Sequence, residues 1–193
     1  STNGEASTRV MMANLSIALM FLLPMLTMRH FADEARSGTL ELMMTAPVPL
    51  WALIVGKWAS TVALCLMLLV GTLLFPAILA YYADPDWGVI ATGYLGLGLC
   101  CMTFVAAGVF SSSLTEEPVA GGLLGVLFLL PFWLAGTMAE TVESTGVRAV
   151  LRELALATHM GAMSKGVVDT ADVAWFVLLT GGFLFHTWRA IES

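Results

Sequence analysis

The sequence predicts an all-α, polytopic integral membrane protein with five transmembrane helices in this chain. Three observations carry that prediction. Apolar runs of membrane-crossing length recur along the chain, charge is scarce, and the charged residues lie between the runs. Of 193 residues, 59% are hydrophobic and 11% are charged. Soluble domains carry about 25% charged residues, so most of this surface is built to face lipid. Mean hydropathy is +0.88. The expected spans are about 11–28, 58–83, 89–110, 119–138 and 173–188, within one transmembrane domain covering 1–193.

Residues 1–10 are polar, with Asn3-Gly4 as a turn signal. Met11 to Met28 is uncharged and about long enough for the hydrocarbon core. Pro24 inside it is tolerable where neighbouring helices satisfy the freed carbonyl. The chain begins at Ser1 with no signal peptide before the first span, which fits a fragment or a processed chain.

Met28 to Trp58 is a long, charge-bearing, helix-prone stretch between two apolar runs. Asp33, Glu34 and Arg36 open it, and Ser37-Gly38-Thr39 is a break that can also cap a helix. With Gly38 as N-cap, Glu41 falls at the third helical position, where a carboxylate suits the exposed amides. Glu41 and Thr45 then share a face one turn apart. Pro47 and Pro49 end this short helix, and a new helical run starts at Leu50. Lys57 is expected to snorkel to a headgroup region.

The second span ends in the interfacial pair Tyr81-Tyr82, followed by a tight turn over Asp84–Gly88. The third span carries Gly93, Gly96, Gly98 and Gly108, and the fourth Gly121, Gly122 and Gly125. This spacing allows close helix approach, read first as packing within the chain and second as a dimerisation face. Ser111 to Pro118 reads as a polar turn between them. In the loop 139–172, Val147, Val150, Leu151 and Leu154 make one stripe, with Arg148 and Arg152 on another face. That pattern predicts an amphipathic helix lying in the membrane interface. His159 reads as a polar residue on the wet face of such a helix. Asp169 and Asp172 lead into the last span, where His186 reads as an interfacial histidine.

Arg29, Arg36, Lys57 and Arg189 fall on one side of the bilayer, and Arg9, Arg148, Arg152 and Lys165 on the other. The short loop with Arg29, Arg36 and Lys57 carries more weight, which puts 29–57 in the cytoplasm and 139–172 outside.

The chemistry that is missing narrows the function. The first four spans carry no Asp, Glu, Lys, Arg or His between their ends, unlike proton relays and intramembrane proteases. Gly56-Lys57-Trp58 lacks the glycine and Ser/Thr of a phosphate loop, and no H-E-x-x-H or Cys/His metal spacing occurs. Asp33-Glu34 reads as a solvated helix start, since no second catalytic group accompanies it. Cys65, Cys100 and Cys101 fall in apolar runs and read as small buried or lipid-facing residues. The net charge of −6 is spread thinly, with no run suited to nucleic acid.

The segment M-R-H-F-A-D-E-A-R-S-G-T-L-E-L-M-M-T-A-P-V, followed by G-K-W, resembles permease subunits of ABC exporters of the ABC-2 type. Within these it is most similar to the gliding-motility permease group, which shows M-R-x-F-A-E-E-(K/R)-x-S-G-T-L-E-L-L-L-T-x-P-V and then G-K. It departs by Asp33 for Glu and by Met43-Met44 for leucines. Pro85 to Gly88, Gly93 to Gly96, Ser112 to Glu116, His159, Gly166, Asp169, Asp172 and Phe176 also resemble family positions.

The resemblance implies six spans, of which those here are the second to sixth, with an N-terminal span missing. It implies a coupling helix in the cytoplasmic loop 29–57 that docks on a separate ABC ATPase subunit. Glu34, Arg36, Ser37, Gly38, Thr39, Glu41, Thr45 and Pro47 would form or shape that contact, none of them catalytic. ATP and Mg would be bound by the partner subunit, and this chain would hold no cofactor or metal. A second permease copy or homologue and membrane lipid complete the expected partners, in a bacterial cytoplasmic (inner) membrane. The alternative is a non-transporting anchor or scaffold of a motility or secretion complex.

Overall fold

The computed structural model describes residues 2–38, 49–82 and 86–192. Among the described residues the chain is helical, without strands. The helices are α1 (Thr2–Thr27), α2 (Arg29–Ser37), α3 (Leu50–Thr72), α4 (Leu74–Tyr82), α5 (Trp87–Ser113), α6 (Pro118–Thr141), α7 (Thr145–Leu154), α8 (Leu156–Met163) and α9 (Thr170–Glu192).

Four runs are long and apolar enough to cross a membrane: Asn14–Ser37, Leu50–Ile78, Trp87–Ser113 and Pro118–Thr141. The chain is thus a multi-pass membrane protein. α9 is 23 residues long but is not one of the four. Asp172 sits in its first turn and Arg189 in its last. The expected fifth crossing rests on that length and on its packing along α5.

α5 is the central rod. Of its apolar window 61% is buried, against 28% for the windows of the α3–α4 run and of α6. Asp86 starts it, its carboxylate accepting from Gly88 N at 2.9 Å and Val89 N at 3.4 Å, which satisfies two orphan donors of the first turn. Thr103 Oγ1 meets Thr180 Oγ1 of α9 at 3.0 Å, and Trp58 Nε1 of α3 donates to Met102 O at 2.9 Å. These bonds fix the register of three rods in an otherwise greasy interface, where dispersion and small residues do most of the packing.

α1 reaches α5 and α6 through glycines. A Cβ at Gly125 would lie 2.7 Å from Pro24 Cβ and 2.9 Å from Ser111 Oγ, and one at Gly108 would lie 3.0 Å from Pro24 Cα. Pro24 is therefore accommodated because the facing helices have no side chains there. The glycine spacing of the third and fourth spans is used inside the chain, as its first reading had it.

The apolar run ends near Met28, yet the helix resumes at once as α2, with Phe31 and Ala32 buried. α3 ends at Thr72 because Pro76 has no N–H to donate to the Thr72 carbonyl. The polar turn expected from Ser111 is instead the end of α5, with Ser111 and Ser112 fully buried. α7 exposes Val147, Val150 and Leu154, the stripe expected of an interfacial helix.

Candidate functional site

The motif M-R-H-F-A-D-E and the Gly56-Lys57-Trp58 motif meet at one end of the bundle. The join starts with a capping problem. The first N–H groups of α2 have no partner within the helix, and Met28 at the N-cap offers no side-chain bond. Ser112 of α5 supplies one. Its Oγ accepts from Phe31 N at 2.9 Å and Ala32 N at 3.1 Å and donates to Met28 O at 2.9 Å. One hydroxyl thereby ties α2 and the end of α1 to the central rod.

Lys57 makes the second tie, from α3. Its ammonium is 2.5 Å from Glu34 Oε1, donates to the His30 carbonyl, and stands 4.2 Å from the centroid of the Phe31 ring. The Lys57 and Glu34 side chains are 16% and 22% exposed, so the pair is shielded from much of the solvent that weakens surface ion pairs. His30 Nε2 meets Thr61 Oγ1 at 2.7 Å, and Thr61 Oγ1 donates to Lys57 O at 3.1 Å. With that hydroxyl proton committed, the His30 ring donates from Nε2. Lys57 was expected to reach the headgroups; it turns inward instead, because Glu34, the His30 carbonyl and the Phe31 face give its charge three partners nearby.

The remaining sequence-derived positions divide. Arg36 is exposed in the last turn of α2, at the negative end of the helix dipole. Ser37 Oγ donates to Glu34 O at 3.3 Å. Gly38 takes φ 71° and closes α2 as its C-cap, with its N–H on Ala35 O. It was read as the N-cap of the following helix; a left-handed residue straight after the last turn is the common way to end one. Thr39, Glu41, Thr45 and Pro47 lie outside the described residues.

A second polar cluster sits at the opposite end. His159 is buried, not on a wet face as the sequence suggested. Its Nδ1 is 2.7 Å from Asp172 Oδ1, its Nε2 is 2.9 Å from the Glu153 carbonyl, and its ring stacks on Trp175 with centroids 4.4 Å apart. The ring thus bridges a carboxylate and a backbone carbonyl. The cluster pins α7 and α8 to the start of α9. His186 is exposed on α9, beside the rings of Phe110 and Phe185. Among the described residues no group of His, Cys, Asp and Glu could hold a metal ion.

Comparison with known proteins decides the family. The model for ABC-2 family transporter proteins matches residues 2–156. The chain belongs to the ABC-2 transporter family. That match takes in α1 to α7, the whole of the Glu34–Lys57 joint and Ser112. No curated protein and no solved structure matches this ABC-2 chain. Residues His30, Thr61 and Ser112 were missed as site residues in the sequence. The 2–156 match takes in the motif that suggested the family, whereas the convergence of these three residues follows only from the helix packing.

Proposed function

We propose that this ABC-2 chain is the transmembrane permease subunit of an ATP-driven exporter, driven by a separate ABC ATPase subunit that binds ATP and Mg. The loop 29–57 faces the cytoplasm of a bacterial inner membrane, and its residues from Glu34 to Pro47 form or shape the contact with the ATPase. A second permease copy or homologue pairs with this one around the path, and this chain contributes no catalytic residue.

The observation that supports this reading is the joint at both ends of the loop. One end is fixed by Ser112 on the backbone of α2 and the other by Lys57 on Glu34. A displacement delivered between them passes into α1, α3 and α5 together, because side-chain slack is small where charge-assisted and capping bonds hold both ends. Closure of the nucleotide-bound ATPase pair then rocks the helices between inward- and outward-facing arrangements.

Affinity purification in mild detergent tests the proposal. An exporter brings down a nucleotide-hydrolysing subunit whose turnover depends on the permease. Structural proteins without any ATPase would instead favour a scaffold.

A further inference from the structure

Two cavities meet on the α1–α6–α8 flank of the bundle. One, of about 270 Å³, is an apolar trough walled by Ile17, Leu156 and Met160, with Lys165 on its rim. The other, of about 540 Å³, is lined by Thr137, Glu140, Arg152 and Thr158. Trp133 and Ala157 line both, so an apolar slot leads directly into a charged one. Their combined size is that of a small-molecule site.

The second cavity carries both signs of charge, on the exposed side chains of Glu140 and Arg152. Glu140 and Arg152 face the same space without bonding to each other. Among the described residues neither takes part in an ion pair. A nearby carboxylate and guanidinium that stay apart leave room for a ligand that carries both signs. The slot runs beside α8, whose Met163 carbonyl accepts from Thr92 Oγ1 in the second turn of α5. Trp133, at the junction, suits the boundary between tails and headgroups.

We propose that this flank is a docking site for a zwitterionic phospholipid with a primary ammonium, taken from the leaflet at the α7–α8 end. Arg152 receives the phosphate, since a guanidinium fork matches phosphate oxygens. Glu140 receives the ammonium, and an acyl chain fills the trough along Ile17, Leu156 and Met160. The inference goes beyond the transport reading and does not depend on an ATPase.

The test is native mass spectrometry of the purified chain in mild detergent, titrated with dioleoyl phosphatidylethanolamine and, separately, dioleoyl phosphatidylglycerol. Wild type should retain the zwitterionic lipid about fivefold more strongly than the anionic one, the upper range for an exposed charge contact. Glu140→Gln should abolish that preference while leaving phosphatidylglycerol retention unchanged. Arg152→Gln should weaken both lipids, and Ala157→Phe should exclude both by filling the junction. Each variant is first matched to wild type in thermal unfolding. If one of the other two unfolds, Glu140→Gln alone still decides the matter. Equal retention of the two lipids by wild type, or a preference unchanged in Glu140→Gln, means annular lipid only and overturns the proposal.

Discussion

Lys57 and Glu34, at the two ends of the 29–57 loop, form an ion pair of 2.5 Å. Each belongs to a different helix, Glu34 to α2 and Lys57 to α3. The pair thus closes the base of the loop, while the hydroxyl of Ser112 closes it again from the central rod.

Removing one partner of the pair leaves the other charge short of compensation in a half-dry site. Lys57→Met should destabilise the purified protein by about 1–3 kcal/mol, less than a fully buried pair because both side chains keep some solvent. Glu34→Gln should cost less on the Lys57→Met background than alone. Thermal unfolding of the two single variants and the double variant measures that coupling.

Ser112→Ala keeps the shape of the α5 end but removes the acceptor for two α2 amides. A loss of about 1 kcal/mol is expected, as for an N-cap replaced by alanine. Hydrogen exchange should rise within residues 29–37 and stay unchanged in the middle of α5.

The glycines make a contrasting pair. Gly125→Ala places a methyl group 2.7 Å from Pro24 Cβ and 2.9 Å from Ser111 Oγ, and should destabilise by about 1–3 kcal/mol. Gly71→Ala meets nothing within 4 Å and sits in α3, so it should be neutral or stabilising by up to about 1 kcal/mol. Equal effects from both would contradict the packing of α1 into the α5–α6 seam.

How much of this was legible in the sequence follows from the range of each interaction. Helix positions, the exposed apolar stripe of Val147, Val150 and Leu154, and the family motif are local patterns, and local patterns survive in a sequence. The expected crossing at α9 has the weakest pattern, because Asp172 and Arg189 dilute an otherwise apolar helix. Long-range partners were not legible. Lys57 reads as a snorkelling cation until Glu34 is brought beside it. Ser112 reads as part of a polar turn until α2 presents its free amides. His159 looks like a surface residue until Asp172 and Trp175 close over it.

That last cluster has a consequence for the α7–α8 hairpin. His159→Gln should loosen it from α9, since the side-chain amide replaces neither the ring stack on Trp175 nor both bonds. Limited proteolysis should cut faster between 164 and 169, with the cleavage pattern of the Gly38 end unaltered. A pattern identical to wild type would mean that the hairpin is held by its apolar contacts alone.

Three glycines inserted after Thr45 should lengthen the lever without touching either tie. In a reconstituted assembly, ATP hydrolysis should persist while its dependence on the permease is lost. Permease-dependent turnover identical to wild type would show that the segment transmits nothing.

The most direct measurement places a photo-cross-linking residue at Glu41 or Thr45 in intact cells, with Val147 as the control position. The expected result is an adduct with a nucleotide-hydrolysing subunit from 41 or 45 and none from 147. Contradiction would come from labelling of 41 and 45 by a membrane-impermeant reagent outside the cell, or from an assembly that yields no such adduct.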